Sequence, residues 1–181
     1  MTSVIQANEA MPYGEHWTFR HCIETAQFRN DNPEAGYTFV DGLGNERRYS
    51  FKALAEEAHR RAQGLLAQGW RKGDRIGYIV VDPEDFVLTF LGAGIAGILP
   101  VPLYPPLGFG RLDAYLESTA RVLQVASAKG LVISSKLKAI LWTLMDTCQD
   151  LDRIVTVEDI ASADCEAPLP LEDISPEDPV F

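Results

Sequence analysis

The hydrophobic positions change period along the chain. Phe19, Cys22, Ile23 and Ala26 recur at i, i+3, i+4 and i+7, which predicts an amphipathic helix over residues 17–29. Two short runs, 37–40 and 47–49, flank the turn-rich Asp41-Gly42-Leu43-Gly44-Asn45 and predict a β-hairpin. Ser50 then stands where a helix N-cap is needed, because its hydroxyl can accept from a free backbone N–H. Phe51, Leu54, Ala55, Ala58, Ala62, Leu65 and Leu66 return to helical spacing, and Gly69 supplies a stop.

From Arg75 onward strands and helices alternate. Residues 76–81 are an apolar, β-branched run. Asp82-Pro83-Glu84-Asp85 follows with a cap, a proline at the first helical position and acids at the positive helix end. That helix is expected to run to about Ala96 and stop at Gly97. Residues 98–104 are expected to be extended, because Pro100 and Pro102 forbid a regular helix. Leu112, Tyr115, Leu116, Thr119, Val122, Leu123 and Ala126 predict the next helix. A strand is expected over 131–134. Leu137, Ile140, Leu141, Leu144, Met145 and Cys148 then predict one continuous helix, and a last strand is expected over 154–157. Repeated β-α-β units with short links require parallel strands and right-handed crossovers. The predicted class is α/β: a doubly wound, mostly parallel sheet with helices on both faces.

Charge separates the tail from the body. The chain has 181 residues and a formal charge of −10, enough for one domain with its own core. Residues 162–181 hold six acids, four prolines and no Lys or Arg, the composition of a linker or extended wrap. The remainder is nearly balanced, without the basic footprint that nucleic acid demands. Residues 86–110 contain no charge. Their helical part would nevertheless reach only about 21 Å, short of a bilayer core, so no membrane span is expected.

Candidate chemistry thins out on inspection. Cys22, Cys148 and Cys165 form neither a disulfide framework nor a CxxC pair, and the first two fall on apolar helix faces. The start of the chain shows no basic segment followed by an apolar one, so the cytoplasm is the expected compartment. His16, His21 and His59 make no HxxxH or HExxH pair, and His59-Arg60-Arg61 reads as a solvated helix face. Gly92-Ala93-Gly94-Ile95-Ala96-Gly97 is a literal GxGxxG. A dinucleotide site needs that motif between a strand and a helix. Here it closes a helix, where small residues permit close packing on the sheet. Asp82, after a strand, reads as a helix cap. No GxSxG elbow and no GxxxxGK[ST] loop occurs.

Several segments together are more specific than any one. Tyr49-Ser50-Phe51-Lys52-Ala53-Leu54 resembles the first core motif of adenylate-forming enzymes. Gly73-Asp74-Arg75-Ile76 is similar to their GDRV-type continuation. The stretch from Phe90 to Pro102 resembles their second core motif, a helix before a strand ending in Val-Pro. Within that superfamily, Val101-Pro102-Leu103-Tyr104-Pro105-Pro106 most resembles the fatty acyl-AMP ligases. The resemblance spans residues 37–181 and implies the N-terminal subdomain of the adenylate-forming ligase fold.

It further implies a two-step reaction, in which a carboxylate attacks the α-phosphate of Mg-ATP and the acyl group then passes to a thiol. ATP and Mg are the implied cofactors; fatty acid and acyl carrier protein are the implied partners. The Ser/Thr/Gly-rich phosphate loop is expected just beyond Phe181, so the resemblance assigns no catalytic, cofactor-binding or metal-ligating residue to this sequence. Residues 1–161 are expected to form the α/β subdomain, with 1–15 flexible. Residues 162–181 are expected to be an acidic, proline-containing linker leading into a missing catalytic part. An acyl-CoA synthetase or other adenylating ligase, or a non-catalytic module with a ligase-like fold, are the alternatives.

Overall fold

The computed structural model describes residues 18–26, 35–106, 111–163 and 168–180. His16, Cys165, residues 1–15 and both ends of the helix expected over 17–29 lie outside them. Within the described residues that helix is α1 (Phe19–Ala26). The hairpin is β1 (Gly36–Val40) against β2 (Glu46–Ser50), antiparallel, with Tyr37 opposite Tyr49. Ser50 Oγ accepts from the Ala53 N–H at 3.2 Å and opens α2 (Phe51–Ala67). Gly69, at φ +92°, turns the chain away in the left-handed region that glycine enters without strain.

The main sheet comprises β3 (Arg75–Ile79), β4 (Leu99–Pro102), β5 (Gly130–Ile133) and β6 (Arg153–Thr156), all parallel, in the order β4-β3-β5-β6. The helices are α3 (Pro83–Ala96), α4 (Leu112–Val125), α5 (Lys138–Leu141), α6 (Leu144–Thr147) and α7 (Val157–Ala161). One core joins Ala58, Ala62, Leu65, Ile76, Tyr78, Ile95 and Ile160, from α2, β3, α3 and α7. A second joins Ile79, Ala120, Leu123, Ile133, Leu141 and Leu144, from β3, α4, β5, α5 and α6. Helices therefore cover both faces, as the alternating pattern requires.

Four local differences have identifiable causes. The helix expected over 137–148 is a 3-10 turn at Ser135–Leu137 followed by α5 and α6. The Thr143 and Thr147 hydroxyls donate to the carbonyls of Ile140 and Thr143, a competition that weakens the helical ladder. Leu141, Leu144 and Cys148 stay buried regardless. β6 stops one residue early, because Thr156 caps α7: its hydroxyl accepts from the Asp159 N–H, and its own N–H donates to the Asp159 carboxylate. Val122 of α4 is 40% exposed, and the buried positions are Thr119, Ala120 and Leu123. Cys22 is exposed rather than buried, since Ile23 and Thr25 are the buried residues of α1.

Candidate functional site

In open α/β sheets, ligands bind outside the carboxyl ends of the strands, where successive crossovers diverge. Here β3 passes through α3 to β4 on one side, and α4 brings the chain back to β5 on the other. The divergence therefore lies between β3 and β5. β3 leaves through Val81 and Asp82, and β5 through Ser134 and Ser135.

That crevice is already filled by the chain's own groups. Ser134 Oγ accepts from the Val81 N–H at 2.9 Å, and the Ser134 N–H donates to the Ile79 carbonyl at 3.2 Å. The Asp82 carboxylate accepts from the Glu84 and Asp85 N–H groups at 3.0 and 3.1 Å. These are the donors a bound phosphate would use at a helix N-terminus. Across the crevice, Ser135 donates through its N–H and hydroxyl to the Glu158 carboxylate, the hydroxyl at 2.8 Å. Two carboxylates thus occupy the anion-accepting positions and would repel a nucleotide phosphate.

Beside α3 lies a cleft of about 360 Å³ between the hairpin and the helix start. Four of its five acids, Asp41, Asp82, Glu84 and Asp85, are committed. Asp41 accepts from the Asn45 side chain at 2.8 Å and from the Asn45 and Leu43 N–H groups. Led by the Asn45 side chain, these bonds hold its carboxyl below the usual carboxylate range. Glu84 accepts from Arg47 at 2.7 Å and Tyr49 Oη at 2.6 Å, which staples the hairpin to α3. Burial, reinforced by Glu84, pushes the Tyr49 phenol up. Among the described residues no group of three or more His, Cys, Asp or Glu is arranged to hold a metal. With Glu84 and Asp85 bound to arginines and Asp82 to backbone, these residues do not fit a magnesium–nucleotide complex.

Arg61 differs from its sequence reading. It is buried, not part of a solvated face. Its Nε donates to Glu57 at 3.0 Å, Nη1 to Thr89 at 3.2 Å and Nη2 to Asp85 at 2.8 Å. The signal was present in its spacing, because Arg61 continues the Leu54–Ala58 stripe. Arg60 is exposed and pairs with Glu57, while His59 lies 3.3 Å from Glu24.

The GxGxxG glycines do occupy a helix end, but Gly92 and Gly94 pack on helices rather than on the sheet. A Cβ on Gly92 would lie 2.7 Å from Arg61 Cβ and 2.8 Å from the Ala62 backbone nitrogen, both on α2. One on Gly94 would lie 2.2 Å from the Phe19 ring of α1. Gly97, at φ +71°, closes α3 with Ile98 N–H to Ala93 O and Gly97 N–H to Gly94 O, a Schellman arrangement. No strand precedes the motif and no helix follows it directly, so the dinucleotide reading does not hold.

Comparison with known proteins agrees with this architecture. The mitochondrial medium-chain acyl-CoA ligase of Rattus norvegicus is 30% identical over 138 residues, covering 75% of this chain and 21% of the relative. A putative acyl-CoA synthetase of Caulobacter vibrioides is 33% identical over 82 residues, covering 45% of this chain and 14% of the relative. The chain thus spans about a fifth or less of these relatives. Among solved structures, one from a study of fatty acyl-adenylate ligases from E. coli and L. pneumophila superposes with a TM-score of 0.77. It is 22% identical and covers 90% of this chain and 28% of the other. A structure of McyG A-PCP with phenylalanyl-adenylate gives 0.74 at 20% identity, covering 90% and 25%. The family profile described as AMP-binding enzyme matches residues 25–181, and the chain belongs to that family.

Proposed function

We propose that this chain is the N-terminal α/β subdomain of a fatty acyl-AMP ligase. That enzyme activates a fatty acid with ATP to an acyl-adenylate and passes the acyl group to an acyl carrier protein. The observation that carries the reading of incompleteness is the filled crevice. Asp82 and Glu158 already bind the N–H groups at the strand ends, which supports the reading that residues outside this chain hold ATP and Mg. The chain alone is inactive on this reading. Residues 1–161 are the subdomain, and 162–181 lead into the catalytic part.

The subfamily rests on Val101–Pro106, whose form resembles the fatty acyl-AMP ligases. Tyr104 in that stretch is 88% exposed and accepts at its carbonyl from Tyr115 Oη at 2.9 Å. The second reading, an acyl-CoA synthetase, is favoured by the rat and Caulobacter relatives, whose names specify CoA products. Cytoplasm is the proposed compartment, although the rat relative is mitochondrial. Among the described residues no helix is long and apolar enough to cross a membrane.

The deciding experiment supplies the full-length protein with radiolabelled fatty acid, ATP and Mg²⁺, and either holo carrier protein or free coenzyme A. Accumulated acyl-AMP with preferential transfer to the carrier protein is expected. Acyl-CoA formed at a comparable rate would overturn the subfamily in favour of the second reading. Absence of any adenylate would overturn both.

A further inference from the structure

Residues 168–180 lie along the body of the subdomain. The Gln63 side-chain amide acts there like a strand partner: Oε1 accepts from the Leu169 N–H at 2.6 Å, and Nε2 donates to the Leu169 carbonyl at 3.2 Å. Leu169 and Leu171 pack against the core around α2 and α3. Arg20 of α1 donates to the Ile95 carbonyl at 2.7 Å and to the Glu172 carbonyl at 2.8 Å, so one guanidinium grips both α3 and the tail.

The last grip is Lys72. Its ammonium donates to the Asp173 carbonyl at 2.8 Å and meets the Asp178 carboxylate at 2.6 Å. Asp178 also closes its own turn, accepting from the Ser175 N–H at 2.7 Å and donating its N–H to the Ser175 carbonyl at 3.0 Å. The Lys72 stem rests on Gly97. A Cβ there would lie 2.9 Å from Lys72 Cγ and 3.5 Å from Ile174 Cδ1. The Gly73 N–H donates to the Gly97 carbonyl at 2.8 Å, fixing the turn that carries Lys72. The last glycine of the GxGxxG run thus leaves room for a lysine and for the tail that the lysine holds.

We propose that Gly97, Lys72 and Asp178 form a latch that docks residues 168–180 as a strap and sets where the chain passes Val180. Lys72 is thereby a positioning residue for the segment that follows in the full-length protein. One ammonium bound at two points of the strap removes the freedom of the turn between them. On the ligase reading above, on which this consequence rests, the following segment handles the nucleotide. Displacing a reacting group by about 1 Å can cost about a hundredfold in rate. The docking itself does not depend on that reading.

Hydrogen exchange on this chain tests the docking. Lys72→Ala and Asp178→Asn should each speed exchange in residues 171–178 about fivefold, on the scale of a partly exposed ion pair. Protection in β3 and β5 should be unchanged, and Lys72→Arg should retain most strap protection. The latch is overturned if the wild-type strap exchanges like an unstructured peptide, if neither variant changes it, or if β3 and β5 lose protection equally. In the full-length protein, Lys72→Ala should lower kcat for adenylate formation about tenfold with KM for ATP within twofold, and Lys72→Arg should rescue it. An unchanged kcat would overturn the positioning role. If the wild-type protein forms no adenylate, the ligase reading fails, while the exchange result still decides the latch.

Discussion

The Arg61 guanidinium of α2 meets the Asp85 carboxylate of α3 at 2.8 Å, 24 residues along the chain. Thr89 and Glu57 take its other donors, so a buried cation welds the two helices where the Gly92 approach is tightest. Truncating it would leave Glu57, which is 7% exposed, with only the exposed Arg60 as its cation. Arg61→Ala should therefore destabilise the chain by about 3–5 kcal/mol, the range for breaking a buried pair. Urea unfolding of the single variant and of Arg61→Met/Glu57→Gln checks this, with the double variant expected to recover most of the loss. A single-variant change under 1 kcal/mol would show that the pair is dispensable.

Gly92 faces backbone as well as side chain, with Ala62 N at 2.8 Å and Ala58 O at 2.9 Å from an added Cβ. Gly92→Ala must push α2 and α3 apart, and a loss of about 1–3 kcal/mol is expected from such overpacking. Gly94→Leu should also lower the Tm, since its side chain would enter the Phe19 ring. NAD should raise the Tm of neither variant nor of the wild type, because a ligand stabilises only what it binds. A clear rise with NAD(H) would restore the dinucleotide reading.

The Tyr78 hydroxyl is fully buried without a hydrogen bond of good geometry, although the Thr89 hydroxyl lies near it. Burial pushes its phenol well above the usual range, so the group stays neutral. Tyr78→Phe removes the unsatisfied oxygen and keeps the ring edge-on to Phe86. The variant should be neutral, or more stable by up to about 1 kcal/mol. A loss beyond that in thermal unfolding would mean that the hydroxyl has a partner.

Lys72, first, and the Ser175 N–H hold the Asp178 carboxyl below the ordinary aspartate value of 3.8. A depressed folded-state pKa contributes stability above the unfolded value, and that contribution is lost as pH falls through the folded one. Protection of the strap should therefore hold at neutral pH and fall away below about pH 3.8. Asp173 and Glu177 share this acidic segment with Asp178, so exchange of wild type and Asp178→Asn should be compared across the same pH range. Identical profiles would remove Asp178 as the titrating group.

Calorimetry of this chain with Mg-ATP should give no saturable micromolar binding, because carboxylates hold the N–H groups at the crevice. Binding in that range would require a phosphate site made by these residues.

The alternation of apolar runs and amphipathic stripes was enough to determine the α/β class, the hairpin, the Ser50 and Asp82 caps and the end of α3 at Gly97. These are local events: a hydroxyl reaching its own helix, a proline removing a donor, a glycine at positive φ. The family was also legible, because the core motifs are contiguous in sequence. Strand order, the burial of Arg61 and the docking of residues 168–180 were decided only in three dimensions. Each depends on partners far apart in sequence, such as Arg61 with Asp85 and Lys72 with Asp178. A guanidinium in a helical stripe reads as surface until its carboxylates are found, since burying it is tolerable only once they pair with it. The occupation of the N–H groups at the strand ends has the same origin. Asp82 was legible as a cap, but Glu158 comes to Ser135 only because β6 pairs beside β5.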